Sequence, residues 1–227
     1  MNQGLEVRNL KKSAVLQLLI AVVGTFITVF GLVMFNQHLL MSFALPLRMI
    51  LMIITQWLLF LVAGILMALN KEKLSDLGFV KERIPLQISI GILLAVSMSL
   101  VLTVLPILLG LKEMIGSTSY TELWQFTYQF VYAIFGVALA EELIFRGYIY
   151  HKLLQIKNPK WFAIIISSAL FGLFHIFNGN IIQVFMTAFL GFIYCICRER
   201  IKGCTLFSLI VAHGVYDALI VVWVAIL

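Results

Sequence analysis

Apolar residues run along this chain in long blocks, separated by short connections that hold nearly all of the charge. A helix needs about 20 predominantly apolar residues to cross the hydrocarbon core of a bilayer. Seven blocks approach or exceed that length: residues 13–35, 47–69, 86–109, 123–145 with a helical extension, 161–177, 181–197 and 204–224. Only helices and closed barrels satisfy their backbone groups in lipid, and unbroken apolar blocks of this length predict helices. The expected fold is therefore all-α: a polytopic transmembrane helical bundle of seven to eight spans. The eighth would arise if 147–156 formed a separate short helix, although its flanking lysines favour an extension of span four. Blocks five and six are short and joined by Asn178-Gly179-Asn180, which predicts a helical hairpin with a tight turn. The first block is too long for a signal-peptide core and lacks a small-residue cleavage site, so it reads as an uncleaved anchor. With no internal repeat or Pro/Gly/Ser-rich linker, residues 1–227 read as a single integral membrane domain.

Composition agrees with the pattern: 63% of the 227 residues are hydrophobic and only 11% charged, and the mean hydropathy of +1.08 excludes a soluble globular domain. The net charge of +6 does not indicate nucleic-acid binding, because the basic residues are spread between apolar blocks rather than gathered on one face. Their distribution instead sets an orientation. Of the 16 Lys and Arg residues, 14 precede span one or follow spans two, four and six, and only Arg48 and Lys112 fall at the opposite ends. The positive-inside rule then places the N-terminus in the cytoplasm. The connection 70–85 mixes both charge signs and is expected to lie on the membrane surface. Cys195, Cys197 and Cys204 are an odd set at the cytoplasmic ends of spans six and seven, where packing is favoured over disulfide formation, metal binding or palmitoylation.

Against this background a few polar residues stand out. Ionisable side chains inside a membrane helix are costly and mark functional sites unless they only join helices. Glu142 and Arg146 are four residues apart, the spacing that stacks opposite charges on one helix face. Glu141 then points about 100° away, free for a different task. His175 ends the run FGLFH with Phe171 one turn earlier, and His213 has Asp217 one turn later. Counted from the nearest cytoplasmic lysine, Glu141 is 11 residues deep, His175 15 and His213 11, or about 16 to 23 Å of helix, so all three are expected to meet near the bilayer centre. A histidine and an acid so placed suit a proton relay, a metal site or a catalytic pair. Together Glu141, His175 and His213 supply a base, a proton carrier and a donor, the minimum for activating water against an amide. His38 and His151 read as loop or interfacial residues. Tyr120, Trp124, Phe126, Tyr128 and Trp161 read as an aromatic belt, and Phe145, Tyr148 and Phe174 as either packing or cavity residues.

The runs EELIFR, FGLFH and HGVYD, in this order along the apolar blocks, resemble the three motifs of the CPBP intramembrane protease family, Glu-Glu-x-x-x-Arg, Phe-x-x-x-His and His-x-x-x-Asn/Asp. That family includes the type II CAAX prenyl proteases and the bacteriocin-processing Abi enzymes. The resemblance spans roughly 135–218 and places a catalytic core at about 120–225; the first three spans are supported only by length and topology. It implies that Glu141 and His175 activate a water, that His213 and Asp217 stabilise the oxyanion, and that Glu142, Arg146 and Phe171 are supporting residues. Family members are often classed as metalloproteases, in which case Glu141, His175 and His213 would hold zinc. The chain has no His-Glu-x-x-His and no closed ligand set, and the prenyl-protease branch resembles a metal-independent glutamate-type enzyme, so no cofactor is expected. Asp217 stands where the family commonly has Asn. The resemblance further implies a peptide or membrane-protein substrate; the short chain and the positive-inside pattern suggest a bacterial plasma membrane, where a leader peptide, bacteriocin or pheromone precursor is the expected class. A polar cavity bounded by spans four to seven and open to the cytoplasm is expected to admit it. A non-catalytic peptide-binding scaffold or bacteriocin-immunity protein and a small ion-coupled transporter would use similar residues. The sequence leaves the oligomeric state open.

Overall fold

The structure, a computed structural model, describes residues 2–157, 159–178 and 181–227, with side chains from Leu10 onward and without that of Asn178. Among the described residues, seven helices are long and apolar enough to cross a membrane: Leu10–Ser42, Leu45–Leu69, Ile84–Leu108, Leu123–Ile156, Lys160–Phe177, Ile181–Arg200 and Leu206–Ile226. They are numbered here as spans one to seven. No strand occurs among the described residues. Large apolar side chains such as Ile27, Leu93 and Phe185 are each about two-thirds exposed on the perimeter, as lipid-facing residues are. This is an integral membrane protein of the all-α class. Residues 147–156 continue span four without a break, and no eighth spanning helix forms among the described residues. Of the turn expected at 178–180, Gly179 and Asn180 lie outside the described residues.

Local sequence explains where the helices begin. Spans two and three start with Pro46 and Pro85 in their first turns, where the missing N–H costs nothing. Spans four and seven start with capping boxes, Glu122 with Gln125 and Thr205 with Ser208, which satisfy backbone donors at the helix entrance.

Span seven packs against spans three and four, and spans five and six pack together as a hairpin. Close approach depends on small residues. A Cβ at Gly214 would lie 2.5 Å from the Ile134 Cα of span four, and one at Gly172 would lie 2.5 Å from the Val184 carbonyl oxygen of span six.

Spans three and four depart from regular α-helix. Span three widens to π-type turns over Leu100–Val104, because the Pro106 ring displaces the Leu102 carbonyl and Pro106 offers no N–H. Span four widens twice, over Tyr132–Ala138 and Leu143–Ile149, on either side of one regular turn, Leu139–Glu142. Carbonyls in the widened turns take donors from neighbouring helices. Trp57 Nε1 donates to Phe135 O at 2.7 Å, Ser167 Oγ donates to Phe145 O at 2.8 Å, and Arg198 donates to Arg146 O. Wide turns of this kind often mark functional sites, and here they flank the two glutamates.

The connection between spans two and three is not wholly a surface segment. Leu77 is fully buried, packs on Gly147, and has its carbonyl oxygen 2.9 Å from Arg198 Nη2. Its apolar side chain is drawn into the gap that Gly147 leaves beside Leu206.

Candidate active site

Glu142 and Arg146 are both wholly buried, with 3.0 Å between Oε1 and Nη1. The Arg146 guanidinium carbon also lies 3.9 Å from the centre of the Phe171 ring and 5.5 Å from that of Tyr194, so a carboxylate and two π faces hold this buried cation. Arg146 therefore belongs to the core and not to a basic connection, which leaves 13 of the other 15 Lys and Arg residues on the favoured side.

Glu142 also reaches His213. Its Oε1 lies 2.8 Å from His213 Nδ1. A carboxylate only accepts hydrogen bonds, so Nδ1 carries the proton. The other ring nitrogen, Nε2, lies 3.3 Å from Asp217 Oδ2 and 3.8 Å from Glu141 Oε2. One imidazole thus joins both glutamates. Glu141 borders the cavity while Glu142 is sealed in beside Arg146, and the wide turns of span four bring both carboxylates within reach of the same imidazole on span seven.

His175 follows the last regular turn of span five, with Nδ1 2.9 Å from the Phe171 carbonyl oxygen. That contact assigns the proton of the neutral ring to Nδ1 and leaves Nε2 as an acceptor. Phe171 is the hub of the cluster: its ring meets His175 edge-on at 4.9 Å and His213 at 5.9 Å while covering Arg146. His175 is not at mid-span. Span five has only 18 residues, so a residue 15 positions from Lys160 is near its far end.

Glu141, His175, His213 and Asp217 all line one cavity of about 550 Å³, a size suited to a small organic or peptide segment. Phe171 and Tyr194 complete its inner wall. Phe145 and Phe174 instead pack in the core around spans one, four and five, and Tyr148 in a second core beside Leu77 and Leu206. The wall includes Leu102 and Thr103 of span three and residues 113–116 of the connection to span four, none of which the sequence reading placed there. Pro106 was the available signal, because a proline four residues beyond Leu102 predicts a disturbed turn at that carbonyl.

Residues 123–219 match the family described as type II CAAX prenyl endopeptidase Rce1-like. This segment, somewhat under half of the chain, is similar to the CPBP/CAAX protease family. The matched segment contains all four cavity residues and the Glu142–Arg146 pair. No curated protein and no solved structure matches the chain. The family is one of CAAX-type intramembrane endopeptidases.

A zinc ion, were one bound, would be held by Glu141, His175 and His213. Among the described residues no three His, Cys, Asp or Glu side chains form a metal-ligand group. His213 has its Nδ1 committed to Glu142 and its Nε2 flanked by two carboxylates, and His175 Nδ1 faces a carbonyl. An Nδ1–H held by a carboxylate or a carbonyl is also how a metal-ligating histidine is oriented, so what separates these residues from a tetrahedral zinc site is that, among the described residues, Glu141, His175 and His213 are not gathered into one ligand group.

Proposed function

We propose that this protein is a CAAX-family, glutamate-type endopeptidase that cleaves a peptide or a membrane-associated protein with a water activated by Glu141 and His175. The observation that carries the reading is the convergence of Glu141, His175, His213 and Asp217, from three helices, on one polar cavity inside an otherwise apolar bundle.

Among the described residues, no hydrogen-bond donor reaches Glu141 Oε2, although the atom is buried. The Glu141 side chain borders the cavity, so a water there can donate to its carboxylate after a small side-chain rotation, and His175 Nε2 offers a second acceptor for the same water. Glu141 takes the proton as the water oxygen attacks the scissile carbonyl carbon. The resulting oxyanion accepts a hydrogen bond from Nε2–H of His213, which acts here as the imidazolium: Glu142 holds its Nδ1–H, and the carboxylates of Asp217 and Glu141 beside Nε2 favour the second proton. Asp217, beside Nε2, orients that donor or, when protonated, adds a second one. The tetrahedral intermediate collapses as Glu141 returns its proton to the leaving amine, giving a new carboxylate and a new amine. Phe171 and Arg146 set the positions of both histidines and of Glu142.

Purified protein in detergent tests this reading when incubated with a pool of fluorescence-quenched decapeptides and read by mass spectrometry. The parent should produce new peptide termini and Glu141→Gln should produce none. Equal cleavage by the two proteins would rule out Glu141 as the base. Binding of peptides by both without cleavage by either would favour the scaffold reading.

A further inference from the structure

The catalytic cavity has a floor and a mouth at opposite ends of the bundle. Because seven spans alternate in direction, the connections 70–83 and 201–205 and the end of span four at Ile156 lie at one end, and the connections after spans one and three and the end of span five at Phe177 at the other. The floor faces the first end. Beneath Glu142, Arg146 and Tyr194 the space is filled. Leu77 packs on Gly147, Arg198 bonds to the carbonyl oxygens of Leu77 and Arg146, and Leu206 N donates to Gly78 O at 3.4 Å. Lys152, itself buried, pairs with Glu72 of the same connection. The residues farthest from the floor come from the other end: 113–116 after span three, Gln129 two turns into span four, and Ile182 in the first turn of span six. His175, two residues from the end of span five, lies between floor and mouth. The expectation of an opening beside the basic connections is therefore reversed, because the buried Leu77 segment closes that end.

The closed end carries 13 of the 15 Lys and Arg residues other than Arg146, and such an excess marks the cytoplasmic side. We propose that the catalytic cavity opens to the non-cytoplasmic face, and that its substrate is a polypeptide segment already translocated: an exported peptide or the outer juxtamembrane stretch of a membrane protein. A lipidated tail in the cytoplasm has no route to it past the Leu77 segment. The sidedness stands on geometry and charge alone; the substrate class also rests on the protease reading above.

Two measurements on the full-length protein in its membrane test these halves separately. In the first, Ile115→Cys at the mouth and Lys81→Cys in the opposite connection are treated with a membrane-impermeant maleimide on intact cells and again after permeabilisation. The parent's own cysteines, two of them buried and all near the closed end, provide the background. Ile115→Cys should label in intact cells and Lys81→Cys only after permeabilisation. The reverse pattern, or labelling of both from one side, overturns the sidedness. In the second, right-side-out and inside-out vesicles are given the quenched decapeptide pool outside. Cleavage should occur with right-side-out vesicles and fall to background with inside-out vesicles until detergent is added. Cleavage confined to inside-out vesicles overturns the substrate class. No cleavage even in detergent defeats the protease reading and the substrate class with it, while the maleimide result still decides the sidedness.

Discussion

Replacing Glu142 and Arg146 by leucine, singly and together, separates what the buried cluster does for stability from what it does for chemistry. Among the described residues, Glu142→Leu leaves the fully buried Arg146 guanidinium with the faces of Phe171 and Tyr194 and no carboxylate. An uncompensated buried charge costs about 3 to 5 kcal/mol. Arg146→Leu is milder, because Glu142 keeps the proton donor His213 at 2.8 Å and is not left alone. The double variant strands no charge, so its stability should return close to that of the parent. Activity should not return with it. Without Glu142, His213 loses the partner of Nδ1, a hydrogen bond to a charged group worth about 1.5 to 3 kcal/mol, which corresponds to roughly a 10- to 150-fold loss of rate if it is needed in the transition state. Thermal unfolding in detergent and cleavage rates on the same preparations provide the two readouts. Parent-like cleavage by the double variant would show that Glu142 only joins helices. A double variant as unstable as Glu142→Leu would refute the stranded-charge argument.

Other outcomes follow from the same geometry. His175→Ala should abolish cleavage with the protein still folded, as judged by its elution in size-exclusion chromatography; retained cleavage would remove His175 from the mechanism. Asp217→Asn keeps a polar partner for His213 Nε2 and should retain much more activity than Asp217→Ala. Inactivation of the parent by a strong chelator, reversed by zinc, together with an inactive Asp217→Asn, would instead establish a metal enzyme. Gly214→Ala places a methyl against the Ile134 backbone and should destabilise the protein by about 1 to 3 kcal/mol, measured as a lower unfolding temperature. Burial pushes the Cys204 thiol up to about 12, so at pH 8 a permeant maleimide should leave it unmodified until the protein is unfolded.

Much of this architecture is legible in the sequence, for identifiable reasons. All seven spans can be read because bilayer thickness fixes a helix length that few other pressures produce. The Glu142–Arg146 pair can be read because four residues return a helix to the same face. The motif runs around Glu141, His175 and His213 identify which polar residues converge. What escapes is long-range or depends on irregular helix. Nothing in the spacing shows that Glu142 also grips His213, 71 residues away, since that contact requires the wide turns on either side of Leu139–Glu142. Counting depth from the nearest lysine treats spans as equally long, which misplaces His175 in a span of 18 residues. The direction of the mouth turns on Leu77, an apolar residue in a charged connection that reads as surface but folds inward over Gly147.

The central claim is that Glu141 drives peptide-bond hydrolysis in the cell membrane. Its most direct test compares the protein termini of otherwise identical cells that produce either the parent or Glu141→Gln at equal levels, using enrichment of free N-termini and mass spectrometry. The account predicts a set of new N-termini present only with the parent and mapping to exported or outer juxtamembrane segments. Identical terminus profiles in the two strains, with both proteins folded in the membrane, would contradict it.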